Sequence, residues 1–164
     1  MNYLAKIRNR HCARSQRGQA LVEMAFVVPI LVLLMIGVIE IGRYAYIAIL
    51  VSNAARAGAA YGAQNLVVSG DTTGISNAAS NDFSSNGMTG LSTTSFATCG
   101  CDIGGTVSSD TQGNCTPSSP PVCAGHWVVT LHVTSTGNFD GLFNLLGASK
   151  QTITKTATVR VAPI

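Results

Sequence analysis

Gln19-Ala20-Leu21-Val22-Glu23-Met24-Ala25-Phe26-Val27-Val28-Pro29-Ile30-Leu31-Val32-Leu33-Leu34-Met35-Ile36-Gly37-Val38-Ile39 contains one charge, Glu23, in twenty-one residues. At about 1.5 Å of rise per residue the stretch spans the roughly 30 Å hydrocarbon core of a bilayer as a single helix. A helix buried in a small soluble domain would be shorter or amphipathic. The stretch therefore predicts a transmembrane helix over about residues 20–41. A secretory signal peptide also combines a basic start with an apolar core, but its core runs only about 7–15 residues and a small-x-small site follows directly. Here the nearest such site, Ala55-Arg56-Ala57, lies well beyond the apolar run.

Composition agrees. Of 164 residues, 46% are apolar and only 10% charged, so apolar character must be concentrated somewhere, and the length allows one modest domain beside it. The formal charge of +3 hides an asymmetry: Lys6, Arg8, Arg10, Arg14 and Arg17 give the first eighteen residues +5, whereas the other five basic residues face all seven acids, a balance of −2. A basic leader ahead of an apolar segment is an orientation signal rather than a nucleic-acid footprint, so no nucleic-acid partner is expected. Only Arg43 and Arg56 follow the span closely. The positive-inside rule places residues 1–18 in the cytoplasm and everything after about residue 42 outside.

Two residues inside the span require explanation. An ionisable side chain near the bilayer centre costs on the order of 2.5 kcal/mol or more, so Glu23 either sits at the cytoplasmic interface, where the positive helix end favours it, or has a partner. Pro29 removes a backbone donor and clashes with the preceding turn, which predicts a kink around Ala25 to Pro29. It is either an ordinary membrane-helix proline or an aid to extraction from the bilayer.

Arg17-Gly18-Gln19-Ala20-Leu21-Val22-Glu23 followed by the apolar run resembles the processing site of type IV pilin precursors. Ser52-Asn53-Ala54-Ala55-Arg56-Ala57-Gly58-Ala59-Ala60-Tyr61-Gly62 resembles the small-residue segment of TadE-like proteins, the minor pseudopilins of tight-adherence (Flp-type) pili. The resemblance is tight over residues 14–62, loose over 96–164 through Cys-x-Cys, a Trp-led strand and Val159-Arg160-Val161, and absent between. It implies cleavage after Gly18 by a prepilin peptidase, with Gln19 as the new N-terminus and Glu23 as the fifth residue. It also implies other pilin and pseudopilin subunits and the pilus assembly platform as partners. A free amino group on Gln19 and a carboxylate on Glu23, each costly alone in lipid, cancel much of that cost when paired between neighbouring subunits. Glu23 is the expected assembly residue.

Beyond the span no helix breaker appears until Gly58 and Gly62, so one long helix is expected over residues 19–63. Ala48, Ser52, Ala55, Ala59 and Ala63 form a small-residue stripe suited to close packing, more simply against the chain's own domain than against another subunit. Residues 64–125 are rich in Gly, Ser, Thr, Asn and Asp and read as loops around one short helix near Ala78 to Phe83. Four cysteines, Cys99, Cys101, Cys115 and Cys123, fall outside the cytoplasm, while Cys12 leaves with the leader; the even number implies two disulfides in an oxidising compartment. Cys99 and Cys101, one residue apart, are expected to pair outward with Cys115 and Cys123, in an order that spacing does not fix. Zinc is disfavoured because the paired Cys-x2-Cys knuckles of structural sites are lacking, and no metal or cofactor is expected.

Regular structure returns over residues 126–164. His126 to Val133 is a strand with Trp127, Val129, Leu131 and Val133 facing the core; His126 and His132 lie on its polar face. Thr152 to Val161 is a second strand, antiparallel to the first, with Ile153, Ala157, Val159 and Val161 on one face and a threonine ladder with Arg160 on the other. Phe139, Leu142, Phe143 and Leu146 at helical spacing form either a cap over the core or an exposed docking patch. No nucleophile elbow, phosphate-binding loop, His-x-x-x-His pair or carboxylate pair appears, so no enzymatic role is expected. The expected architecture is α+β: a long N-terminal transmembrane helix followed by a small disulfide-stapled domain with an antiparallel sheet. The expected role is that of a cleaved minor subunit of a tight-adherence pilus supporting surface adhesion, held in the cytoplasmic membrane with its C-terminal domain outside or incorporated in the pilus. The alternative is an uncleaved, membrane-anchored binding protein or adhesin.

Overall fold

The computed structural model describes residues 16–112, 123, 125–142 and 150–161. The fold is α+β: a helix α1 (Gln16–Gly62), two further helices α2 (Leu66–Ser69) and α3 (Thr72–Ser85), and four strands β1 (Ser92–Ile103), β2 (Thr106–Gln112), β3 (His126–Phe139) and β4 (Gln151–Val161). The chain divides into two compact units, one ending at Gly42 and the other beginning at Arg43.

In the first unit the described residues belong to the N-terminal part of α1. Leu21, Phe26, Leu33 and Val38 are each more than 60% exposed, and so are Leu34, Met35 and Ile41. Water would not tolerate such a surface, whereas lipid asks only that backbone polar groups be satisfied within the helix. α1 continues through Pro29 as one helix. Among the described residues it is the one helix long and apolar enough to cross a membrane, and its apolar window is almost wholly unburied, unlike the core helix of a soluble protein.

The second unit is a four-stranded antiparallel sheet, in the order β2-β1-β3-β4, covered on one face by helices. Within α1 the residues Ile47, Leu50, Val51, Ala54, Ala55 and Ala59 are buried at helical spacing. Ile47, Leu50, Val51 and Ala54 pack with Ala79, Phe83, Phe139 and Ile153; Ala59 packs with Ile75, Leu131, Val133 and Val161. The small residues matter because the backbones are close. A methyl group on Gly58 would meet the Ile75 carbonyl oxygen at 3.1 Å and Val133 at 3.2 Å. The small-residue face thus packs against the chain's own domain: Ala55 and Ala59 of the expected stripe are buried, and the buried face widens to take in Val51 and Ala54 beside them.

Residues 64–125, expected as loops around one short helix near Ala78 to Phe83, contain that helix as part of α3, together with α2, β1 and β2. Asp71 caps α3 by accepting from Gly74 N at 2.9 Å, and Ile75, Ala79 and Phe83, spaced by four, are its buried stripe. β1 escapes a search for apolar alternation because its inward positions are Thr93, Ser95, Ala97 and Cys99, which pair with Ser135, Val133, Leu131 and Val129. The Thr93 and Ser135 hydroxyls satisfy one another at 3.0 Å, so small polar residues can lie beneath the helices. Gly104 and Gly105, at φ +63° and +88°, form the two-residue turn between β1 and β2.

β3 carries the expected alternation of Val129, Leu131 and Val133 and extends it through Ser135 to Phe139. β4 pairs with it antiparallel, matching Leu131 to Val159 and Thr134 to Thr156. Phe139, expected on a helical segment with Leu142, Phe143 and Leu146, is the buried last residue of β3, and Leu142 is half exposed. Phe143 and Leu146 lie outside the described residues.

Candidate functional site

Gly18, Gln19 and Glu23 occupy little more than one turn of α1. The Gln19 side-chain amide donates to Glu23 Oε1 at 3.5 Å, the outer limit of a hydrogen bond, as the four-residue spacing allows. Gly18 lies in helical backbone, and a methyl group built on it would meet nothing within 4 Å. Neither conformation nor packing within the described chain therefore requires glycine there, although glycine costs a helix about 1 kcal/mol relative to alanine. Gly18 and Gln19 are exposed near the start of α1. Hydrolysis there would leave Gln19 with a cationic amino group one turn from the Glu23 carboxylate, in the first turn of a helix whose N-terminal end favours negative charge. Pro29 follows two turns further along the same exposed helix.

The second unit contains the staple. Cys101, on β1, is disulfide-bonded to Cys123, just ahead of β3, with Cα atoms 5.6 Å apart. Cys101 thus pairs outward, and spacing alone did not select Cys123 as its partner. Cys99 is disulfide-bonded as well, and Cys115 lies outside the described residues.

The sheet face turned away from the helices is covered with hydroxyls. Thr134 meets Thr156 at 3.0 Å and Thr136 meets Thr154 at 3.1 Å across the β3–β4 ladder. The His132 ring lies between Thr98, 3.1 Å from Nε2, and Thr158, 3.5 Å from Nδ1. It stacks on Phe96 with centroids 4.8 Å apart and planes 8° from parallel. Arg160 reaches Asp102 at 3.2 Å. His132 therefore has a structural role, and Phe96 was missed because β1 was not read as a strand. A groove between α3 and β1 is lined by Thr72, Thr73, Ser76, Asn77, Thr93, Thr94 and Ser95. None of these side chains can exchange a proton near neutral pH.

The family comparison falls on the helix. Residues 18–60 match the family model described as TadE-like protein. That stretch is similar to TadE-like proteins. It starts at Gly18, the residue that precedes the expected cut, and ends within α1. The match covers the apolar span and the small-residue face that packs under the sheet. No curated protein and no solved structure matches the chain.

Proposed function

We propose that this chain is a structural subunit, rather than an enzyme, of a tight-adherence pilus or its assembly apparatus. A prepilin peptidase cuts it after Gly18, and Glu23 pairs with a neighbouring subunit's amino terminus during assembly. Residues 1–18 lie in the cytoplasm and the sheet domain outside the cytoplasmic membrane; surface adhesion is the process served. The observation that carries the reading is the coincidence of three features at one place. The TadE-like match begins at Gly18, the helix beyond it is apolar and exposed, and a single acid stands at the fifth position after the glycine.

The deciding test is the intact mass and N-terminal sequence of the protein from membranes of cells with and without the peptidase. A chain starting at Gln19 only when the peptidase is present supports the reading, and Glu23→Ala should then be processed but fail to enter assemblies. A chain starting at Met1 in both cases removes the pilin route and leaves an uncleaved anchored envelope protein.

A further inference from the structure

On the face of the sheet under the helices, one row is polar from strand to strand. Thr93 on β1 is opposite Ser135 on β3, and Ser135 is opposite Lys155 on β4. The two hydroxyls bond one another at 3.0 Å, and Ser135 is fully buried. The row divides the core. Ile153 belongs to the cluster of Val51, Phe83 and Phe139, whereas Ala157 lies against that of Ile75, Leu131 and Val133. Lys155 thus stands in the inward register of β4, two residues from Ile153 and two from Ala157, and yet it is exposed.

The place of β4 in the sheet gives that position a consequence. β4 ends the order β2-β1-β3-β4, and among the described residues no strand pairs with its other side. Its eleven residues include no proline or glycine, and Thr152, Thr154, Thr156 and Thr158 line its outer face. Such a strand readily accepts another along its unpaired backbone. Of its two charges, Arg160 lies on the outer face and reaches Asp102 at 3.2 Å, while Lys155 makes no ion pair among the described residues. An added strand would extend every row of the sheet, so the Lys155 ammonium would lose water where the new strand's inward residues pack, a costly exchange without a partner anion. A second copy added with the same face inward would bring its own Lys155 to that side, and like charges set close together weaken a strand pair. We propose that Lys155 is a specificity residue for association: it closes the β4 edge to strand addition by a second copy of this chain, and so leaves subunit register to the helix and Glu23. The choice of a second copy as the excluded partner rests on the pilus reading, in which copies crowd together; the chemistry of the edge does not.

The test compares the full chain with its variants in detergent micelles, by sedimentation at several ratios of protein to detergent and by amide exchange. Lys155→Val should self-associate about tenfold more strongly than the wild type or better, and alternate β4 amides, open to exchange in the wild type, should become protected. Lys155→Arg, which keeps the charge, should match the wild type. Thr154→Val adds apolar surface to the other face of the same strand and should match it too. Equal association of Lys155→Val and the wild type would overturn the inference. Association of Thr154→Val as strong as that of Lys155→Val would also overturn it, by assigning the effect to added apolar surface. Should Lys155→Val fail to fold, Lys155→Gln decides: it should associate more strongly than Lys155→Arg, and equality would overturn the closed edge. Contacts between apolar helices are common to all these chains and cancel. Cleavage after Gly18 is read separately. A processed chain whose Lys155→Val variant behaves as wild type loses this inference and keeps the pilus reading, whereas an unprocessed chain whose variant associates keeps the closed edge and loses the pilus role.

Discussion

At Gly137 the strand β3 has no room for a side chain, because a methyl group there would come within 2.8 Å of Val51 on α1, with Phe83 at 3.7 Å behind it. Both neighbours are fully or almost fully buried and cannot step aside. Gly137→Ala should therefore lower stability by about 1–3 kcal/mol, the usual cost of overfilling a packed core. Gly37→Ala, with nothing within 4 Å, should cause no loss; chemical denaturation in detergent that finds the two variants equal would refute the packing argument. A second residue-scale prediction concerns Tyr61, whose hydroxyl donates to Asp71 Oδ2 at 3.1 Å. That hydrogen bond first, then the repulsion between the carboxylate and a phenolate, raises Tyr61 above the ordinary tyrosine value of 10.0. Because the folded value is the raised one, the contact contributes fully below pH 10 and is lost as pH rises through the folded value. Replacing Asp71 with Asn should move the phenolate absorbance transition to lower pH; superimposable titrations would show that Asp71 is not the cause.

At the scale of elements, legibility depended on whether burial was written in apolar residues. β3 and β4 were readable because Val129, Leu131 and Val133 alternate with polar residues, as do Ile153 and Val161. β1 was not, since its inward side is Thr93, Ser95 and Ala97, and its pairing depends on a hydroxyl bond to Ser135 that no periodicity reveals. Two local signals were nevertheless present: Gly104-Gly105 marked a hairpin turn, and Asp71 three residues ahead of Gly74 marked a helix start. The Cys101–Cys123 bond ties the hydroxyl-rich strand to the apolar one across a separation of 22 residues. In the chain-entropy account a loop of that length is worth about 3 kcal/mol. Changing Cys101 and Cys123 together to Ala should lower the unfolding free energy by about that amount, with β1 and β2 amides losing exchange protection before those of β3 and β4. Uniform loss across all four strands would mean that the sheet unfolds as one unit and that the staple has no local role.

For the whole molecule, the candidate site was legible because it is covalent and linear. Gly18 and Glu23 are five residues apart in sequence and need no tertiary fold to meet, whereas the row of Thr93, Ser135 and Lys155 joins three strands and could only be seen in the folded chain. Topology connects the two units without any statement about their mutual orientation. Lys6, Arg8, Arg10, Arg14 and Arg17 precede the span, against Arg43 and Arg56 close behind it, and the proposed orientation, basic side in the cytoplasm, rests on that bias. On the proposed orientation the Cys101–Cys123 pair lies on the oxidising side of the membrane, so its redox state tests that orientation, since cytosolic thiols stay reduced and exported ones oxidise. Replacing the five leading basic residues with Gln, in cells lacking the peptidase so that the leader is retained, removes the orienting charge and leaves the bias with Arg43 and Arg56. Most of that variant should then carry alkylatable thiols at Cys101 and Cys123 after denaturation without reductant, while the wild-type chain resists alkylation until reduced. Free thiols in the wild type would place the sheet domain in the cytoplasm. That result would remove the orientation on which a pilus role depends, whereas an oxidised variant would show that export of the domain does not depend on the leader's charge.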